Sequence, residues 1–317
     1  MNSNGFTVGA LFAGVGGIEL GFSQAGFVPV LANEIDKHAA ITYKKNFHHK
    51  LIVDDVHEVP ANEFPRITVL TGGFPCQAFS VAGYRKGFKD PRGNVFWEII
   101  RIIDNKKPQV VFLENVKNLK THDNGRTFQI ILDALAKSGY YVKYQVLNAS
   151  DYSNIPQNRE RIYIVGFKSK KHFNKFEFPK KSNAKLDLQK YINFEIKVDD
   201  AYYYKDKYMT NDLVKSITNK NTVYQWRRKY VRENKNGLCP TLTANMGTGG
   251  HNVPLVLTKF GIRKLTPKEC FNLMGFPRSF KLPSELSNNH LYKQAGNAVV
   301  VPVVKKIALN IKYAMES

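Results

Sequence analysis

Between Thr7 and about Lys168, short apolar runs alternate with stretches in which apolar residues recur every three to four positions. Thr7-Val8-Gly9-Ala10-Leu11-Phe12 reads as a buried strand, and residues 18–24 as the helix that follows a glycine-rich turn. Residues 28–32 make a second strand, followed by a helix over 35–47. Further strands are expected at 69–72, 110–113 and 162–167, with helical periodicity at 96–105 and 127–138. Repetition of strand, helix and strand at this spacing predicts an α/β fold. Its sheet is doubly wound and mostly parallel, and its ligands bind at the C-terminal ends of the strands.

After Lys168 the pattern dissolves. Residues 168–235 hold 18 basic and 8 acidic side chains, many tyrosines and little periodicity, and they run into a Gly/Asn/Thr-rich segment over 236–252. This texture predicts a second, smaller, loop-rich domain. Order returns at Arg263. Thr266-Pro267-Lys268-Glu269 has the form of a helix start, with Thr266 as cap, Pro267 in the first turn and Glu269 three residues on. Residues 298–313 read as a closing amphipathic helix, with Pro302 tolerable only near its start. The expected division is therefore 1–180, completed by 288–317, and a small domain over 181–287.

Composition adds a partner. The 317 residues carry 47 Lys and Arg against 26 Asp and Glu, a net charge of +21 and a pI near 9.7. Such an excess points to a polyanion, most often nucleic acid; a solvated lysine-rich surface is the bland alternative. No apolar run approaches the roughly 20 residues that span a bilayer. The N-terminus lacks the charged and apolar regions of a signal peptide. Cys76, Cys239 and Cys270 lie far apart and form no CxxC pair, which argues against a disulfide framework or a metal site and fits a reducing cytoplasm.

Four landmarks carry candidate chemistry. Phe12-Ala13-Gly14-Val15-Gly16-Gly17 lies between a strand and a helix, where glycines allow a tight turn and close ligand approach. A purely structural turn or a dinucleotide site would use similar glycines, although the spacing is not GxGxxG. Glu34, at the end of the second strand, is placed to accept both hydroxyls of a ribose. Next comes Gly72-Gly73-Phe74-Pro75-Cys76-Gln77, a cysteine in a Gly-Pro turn past a strand end. It is a nucleophile candidate, a buried apolar cysteine being the alternative. Residues 78–94 after it are rich in glycine and charge, as befits a loop that closes over a polyanion.

The third landmark is Phe112-Leu113-Glu114-Asn115-Val116. An unpaired carboxyl there would have its pKa raised by desolvation and so could donate a hydrogen bond; a solvated Glu114 with Asn115 as a helix cap is the other reading. The fourth is Gln157-Asn158-Arg159-Glu160-Arg161. Alternation sends both arginines to one side, suited to an anion or a polarised carbonyl, unless they are merely exposed at a strand start.

Together, in this order, the four resemble one family: the bacterial cytosine-C5 DNA methyltransferases of type II restriction–modification systems. The resemblance runs nearly end to end, through Asp55-Val56, residues 263–277 and Gln294-Ala295-Gly296-Asn297-Ala298-Val299. It implies the S-adenosylmethionine-dependent methyltransferase fold, with S-adenosylmethionine as methyl donor and no metal. Cys76, Glu114, Arg159 and Arg161 would be catalytic. Cys76 attacks C6 of a flipped cytosine, Glu114 holds the N3/N4 edge, Arg161 holds O2, and Arg159 orients the thiol or a phosphate. The donor would be held by Phe12, Gly14, Gly16, Glu34, Asp55, Val56, Pro75 and Asn297.

The resemblance also implies double-stranded DNA as partner, bound by Gln77, Ser80, Arg92, Arg227, Arg228, Arg232, Thr243 and Asn245, which mix phosphate binders with base readers. The stretch from Tyr224 to Asn252 resembles target regions that read CCGG or CCNGG-type palindromes. A cognate restriction endonuclease, a monomeric state and a bacterial cytoplasmic, nucleoid-associated location follow as expectations. One departure stands out: a serine common six residues after the nucleophile is Ala82 here. The tRNA-methylating branch of the family carries a CFT motif in its second domain, and this sequence has none.

Overall fold

The computed structural model describes residues 5–74, 95–204, 211–227, 230–248 and 252–317. The chain forms two compact units, one of residues 1–147, 160–180 and 303–317, the other of 148–159 and 181–302. Residues 148–159 and 288–302, read from the sequence with the first domain, group with the second.

The first unit alternates strands and helices: β1 (Thr7–Leu11), α1 (Gly17–Gln24), β2 (Val28–Asn33), α2 (Lys37–Asn46), β3 (Lys50–Ile52), β4 (Val69–Gly73), α3 (Val95–Lys106), β5 (Val110–Val116), α4 (Arg126–Lys137) and β6 (Tyr141–Asn148). After a single helical turn, α5 (Ala149–Tyr152), in the other unit, come β7 (Glu160–Phe167) and α6 (Lys170–Lys175). The seven-stranded sheet runs β3-β2-β1-β4-β5-β7-β6. Pairings from β3 to β5 are parallel, whereas β5 and β7 are antiparallel. Strand order reverses between β1 and β4, the crevice where open α/β sheets bind ligands.

The apolar stripes of α3 and α4 explain their positions. Ile99, Ile102 and Ile103 on one, and Phe128, Ile131 and Leu135 on the other, join the core beside Val111 and Leu113 of β5. Each fully buried side chain of this kind contributes about 1.5–3 kcal/mol. Asp36 caps α2, accepting from the amides of His38 and Ala39, a contact worth about 1 kcal/mol. Two strands escape the apolar pattern, β3 and β6. They lie at the two edges of the sheet, where one side faces solvent and residues such as Lys143 and Gln145 interrupt the run.

The second unit is more ordered than its composition predicts. It contains α7 (Asn211–Ser216), β8 (Tyr224–Arg227), β9 (Tyr230–Glu233), β10 (Leu255–Thr258), β11 (Gly261–Lys264), α8 (Pro267–Asn272) and α9 (Asn288–Asn297); α10 (Val301–Glu316) begins at its edge. A four-stranded sheet, β11-β10-β8-β9, covers a small core of Leu213, Ile217, Tyr224, Leu255 and Ile262. Its strands have four residues each, too short for period-two alternation to stand out among lysines and arginines. Thr266 and Glu269 form the expected reciprocal cap of α8. Glu269 also receives the buried Arg263 through two hydrogen bonds of 2.7 and 2.8 Å, so one carboxylate fixes both the helix start and β11.

Candidate active site

Parallel strands deliver their C-terminal ends to one edge, and the candidate residues of the first unit gather there. Past β1 the chain turns through backbone that only glycine adopts freely: φ is +57° at Gly14 and +85° at Gly16, and Phe12 itself sits at +54°. The turn is held to β2, because the Ala13 amide donates to the Asn33 carbonyl (3.0 Å) and the Gly14 amide to Glu34 Oε2 (2.6 Å). The two glycines differ in purpose. A Cβ on Gly16 would fall 2.2 Å from the Phe47 ring, whereas one on Gly14 would meet nothing within 4 Å among the described residues. Gly16 is a packing glycine, and Gly14 leaves open space beside Glu34.

Glu34 is buried, and its other oxygen accepts from the Asp36 amide at 2.7 Å. Desolvation raises its pKa above the ordinary carboxylate range, partly offset by those two amides. Each carboxylate oxygen retains acceptor capacity beyond its single amide bond, so a pair of ribose hydroxyls has acceptors. Asp55 follows β3, and its Oδ1 accepts from the His57 amide and pairs with His57 Nδ1 (3.0 and 2.6 Å). These contacts, led by the amide, hold its carboxyl below the usual range. Val56 is buried in the core, and its carbonyl is taken by Arg101 of α3 (3.1 Å). The open space at Gly14, the acceptor capacity left on Glu34 and the half-exposed Asp55 carboxylate would suit a nucleoside-bearing donor.

Two of the catalytic candidates, Glu114 and Arg161, meet where β5 and β7 pair. Gly73 pairs with Glu114 in the parallel register, three positions before Cys76. Because β7 runs antiparallel to β5, its first residues lie beside the end of β5. Arg161 is paired with Val116 and reaches diagonally to Glu114, Nε to Oε1 3.1 Å. Both side chains are mostly buried, 15% and 12% exposed. Glu114 is therefore not the unpaired carboxyl expected from the sequence: a guanidinium from the neighbouring strand compensates its charge. Asn115 is no helix cap either. It lies within β5, buried, donating from Nδ2 to the Phe74 carbonyl at 2.6 Å. Sequence reasoning missed this tether, which fastens the last described residue before the Pro75-Cys76 segment; the signal was an amide at an inward strand position.

Arg159 has a different setting. Strand β7 begins at Glu160, so the alternation that paired the two arginines on paper does not extend to it. It lies in the second unit, 2% exposed. Its guanidinium donates to the carbonyls of Leu242 (2.6 Å), Gly296 (2.9 Å) and Ala298 (2.7 Å). Those three hydrogen bonds tie its terminal nitrogens to backbone of the second unit; the Cys76 thiol it was expected to orient lies outside the described residues. Asn297, Thr243, Asn245, Arg227 and Arg232 are exposed in the same unit. Pro75, Cys76, Gln77, Ser80, Arg92 and Arg228 lie outside the described residues. The other two cysteines are buried, and burial pushes both thiols up, leaving them protonated.

A family model for the C-5 cytosine-specific DNA methylases matches residues 6–313. The type II methyltransferase M.Bsp6I of Bacillus sp. (strain RFL6) is 59% identical over 312 residues, covering 97% of this chain and 99% of its own. M.HhaI of Haemophilus parahaemolyticus, also a type II methyltransferase, is 38% identical over 95% of this chain and 92% of its own. Among solved structures, a DNA modification methyltransferase encoded within an E. coli prophage superposes with a TM-score of 0.74 at 21% identity, covering 98% of this chain and all of its own. A Spodoptera frugiperda DNMT2 variant gives 0.75 at 19%, over 97% and 99%; both show the shared methyltransferase fold. With the glycine turn, Glu34 and the Glu114–Arg161 pair set along one sheet edge, and a match spanning almost every residue, the chain belongs to the C-5 cytosine-specific DNA methylase family.

Proposed function

We propose that Cys76 is the nucleophile of a cytosine-C5 methyl transfer to duplex DNA, with Glu114 and Arg161 as the groups that hold the reacting base. The observation that carries the reading is the Glu114–Arg161 pair on β5 and β7, opposite Gly73 and three residues ahead of the cysteine. Cytosine C5 is a weak nucleophile until a sulfur–carbon bond forms at C6. The Cys76 thiolate supplies that electron pair, and charge arriving at N3 is met by a proton that Glu114, in its carboxylic acid form, donates in a hydrogen bond. Arg161 keeps the carboxyl aligned and offers its remaining N–H groups to O2. S-adenosylmethionine, when bound, supplies an electrophilic methyl group at C5. Loss of the C5 proton and cleavage of the sulfur–C6 bond then return the cysteine.

Donor binding falls to Phe12, Gly14, Gly16, Glu34, Asp55, Val56, Pro75 and Asn297. The open space at Gly14 supports that set in the first unit. For Val56 the fit is indirect, through the buried loop that it anchors. Neither target atom is reachable in a stacked duplex, so the base leaves the helix at a cost of about a few kcal/mol.

Hairpin β8–β9 supports DNA reading. Arg227 pairs with Tyr230 and Gln225 with Arg232, so these four share the face opposite the Trp226 and Val231 side that packs on the small core. Arg228, which follows Arg227 in the sequence, and Gln77, Ser80 and Arg92 after the nucleophile complete the proposed DNA contacts. The target is read as a short GC-rich palindrome, of which CCGG and CCNGG are the forms to test first. The biological role is protection against a restriction endonuclease of the same specificity, carried out by a monomer in the cytoplasm. Among the described residues no helix is long and apolar enough to cross a membrane.

The test uses duplexes with 5-fluorocytosine at the mapped target position, incubated with enzyme and donor. A denaturation-resistant adduct must form with the native protein and be absent with Cys76→Ser. Methyl transfer by Cys76→Ser, or labelling of tRNA in place of duplex, sinks the reading. Bisulfite mapping of DNA from an expressing host supplies the site.

A further inference from the structure

Arg159 lies in the motif that supplies Arg161, yet its surroundings give it a separate task. Its guanidinium is buried and donates to three carbonyls that are far apart in sequence, those of Leu242, Gly296 and Ala298. Its own amide donates to Asn148 Oδ1 at 2.9 Å, and its carbonyl accepts from Ala149 at 3.0 Å. The preceding residues repeat the theme. Gln157, fully buried, accepts from the Leu242 amide (3.2 Å) and donates to the Leu273 carbonyl (2.8 Å), while the Asn158 amide donates to the Cys239 carbonyl (2.9 Å).

The three clamped carbonyls flank two functional positions. Leu242 immediately precedes Thr243, the first of the two residues on this turn assigned to DNA. Gly296 and Ala298 enclose Asn297, assigned to the donor. The backbones of the two segments are in contact. A Cβ on Gly296 would sit 2.1 Å from the Thr243 carbonyl carbon, and one on Gly247 would sit 2.4 Å from the Asn289 carbonyl oxygen. Helix α9 therefore lies against the Ala244–Gly247 turn near both of its ends, with backbone meeting backbone at Gly296 and Gly247. Close-packed elements of this kind move together or not at all.

We propose that Arg159 is a positioning residue that couples target reading to donor seating. By holding Leu242, Gly296 and Ala298 on one planar group, it makes Thr243, Asn245 and Asn297 parts of one rigid piece. Engagement of the turn by duplex then fixes the Asn297 side chain, and donor contact at Asn297 fixes the turn. This rests on the assignment of Thr243 and Asn245 to DNA and of Asn297 to the donor made above. Because coupling between two binding sites is reciprocal, the same factor must appear in both affinities.

The experiment measures binding without turnover, using the full chain, S-adenosylhomocysteine and a duplex carrying the mapped site. Calorimetry gives the affinity for S-adenosylhomocysteine with and without duplex. Anisotropy gives the affinity for duplex with and without S-adenosylhomocysteine. The native protein is expected to show a mutual gain of about 5-fold or more. In Arg159→Lys, which keeps the charge but loses the planar fork, each separate affinity stays within about threefold and the mutual gain falls toward one. An intact mutual gain in Arg159→Lys overturns the proposal.

Two further measurements stand if that variant does not fold. In the native protein, duplex alone must slow amide exchange at residues 296–299, and an unchanged rate there overturns the coupling. Asn297→Ala must weaken S-adenosylhomocysteine in the absence of DNA. If it does not, the donor assignment itself has failed and the coupling falls with it. If it does while Arg159→Lys remains coupled, only the coupling has failed.

Discussion

Gly14 in the first unit and Gly296 in the second both stand in glycine-bearing motifs at the end of a regular element, and the structure gives them opposite surroundings. A side chain on Gly14 would enter open space; one on Gly296 would collide with the backbone of Thr243 and Ala244. The two arginines of the QxRxR motif divide in the same way. Arg161 faces a carboxylate at the sheet edge, and Arg159 faces three carbonyls in a packed interior. At Gly14 and Arg161 the surroundings leave room and charge for something else to arrive; at Gly296 and Arg159 the backbone of the same unit fills the place. The difference shows that motif membership alone does not tell a ligand residue from a brace. What a side chain touches decides.

The sharpest way to break this contrast is at Glu114. If it is the group that meets N3 of the base, Glu114→Gln removes the carboxyl while keeping nearly the same volume. Methyl transfer in single-turnover assays should then fall by about 10²–10⁴-fold, the usual range for a displaced acid–base group. The melting temperature should move little, since Gln can still accept from Arg161. An undiminished rate would remove Glu114 from the chemistry and leave the pair as a strand-to-strand brace, no different in kind from Arg159.

Next in size is Gly296→Ala. With a Cβ 2.1 Å from a carbonyl carbon and 2.4 Å from an amide nitrogen, neither partner is a flexible side chain that can swing away. Overpacking of this kind costs typically about 1–3 kcal/mol, and backbone-against-backbone contact belongs at or above the top of that range. Urea unfolding reads the loss directly. A neutral result would mean that α9 stands off from the Ala244–Gly247 turn, contrary to the close packing on which the second unit depends.

A third test sits under the glycine turn of the first unit. Glu19 of α1 is fully buried; Oε1 accepts from Tyr43 at 3.1 Å, and Oε2 has no hydrogen-bond partner among the described residues. Desolvation, reinforced slightly by Glu34 and opposed by its hydrogen bonds, pushes its pKa up to about 7. A carboxyl raised in the folded state favours folding while it is protonated. That stability is complete below about pH 4.5 and is lost as the pH rises to about 7, by at most about 3 kcal/mol. Glu19→Gln should therefore match the native protein at pH 4 and exceed it at pH 8. Parallel stability curves across that window would show that water or a counter-charge already satisfies the site.

How much of this was legible beforehand follows from the same distinction. The apolar runs of β1, β4, most of β5 and the second half of β2 are buried on both faces, so the parallel sheet could be read from them, and with it the edge near which Phe12, Glu34 and Glu114 lie. The Thr266–Glu269 cap was equally plain, because a capping box is a local pattern. What could not be read was anything made by residues far apart in the chain. Arg161 meeting Glu114 depends on β7 running antiparallel, which no run of residues announces. The burial of Arg159 depends on carbonyls 83 to 139 positions away. The β8–β11 sheet was hidden by strands too short to show their period.

The smallest expected effect falls on Gly14, and it is the most selective. Alanine at φ +57° costs about 1–2 kcal/mol for left-handed backbone, with no steric cost, because the site of its methyl is empty. Phe12 already occupies a similar conformation at +54°, so the turn tolerates a side chain in that region. Stability should therefore fall only slightly, and far less than in Gly296→Ala. Binding of S-adenosylhomocysteine in the absence of DNA should weaken by a larger factor, because the methyl group takes up part of the open space beside the turn. The ratio of the two losses is what matters. A Gly14→Ala protein that loses stability and ligand affinity in step would place Gly14 with Gly296 among the packing glycines, and the open edge of the first unit would lose its clearest mark.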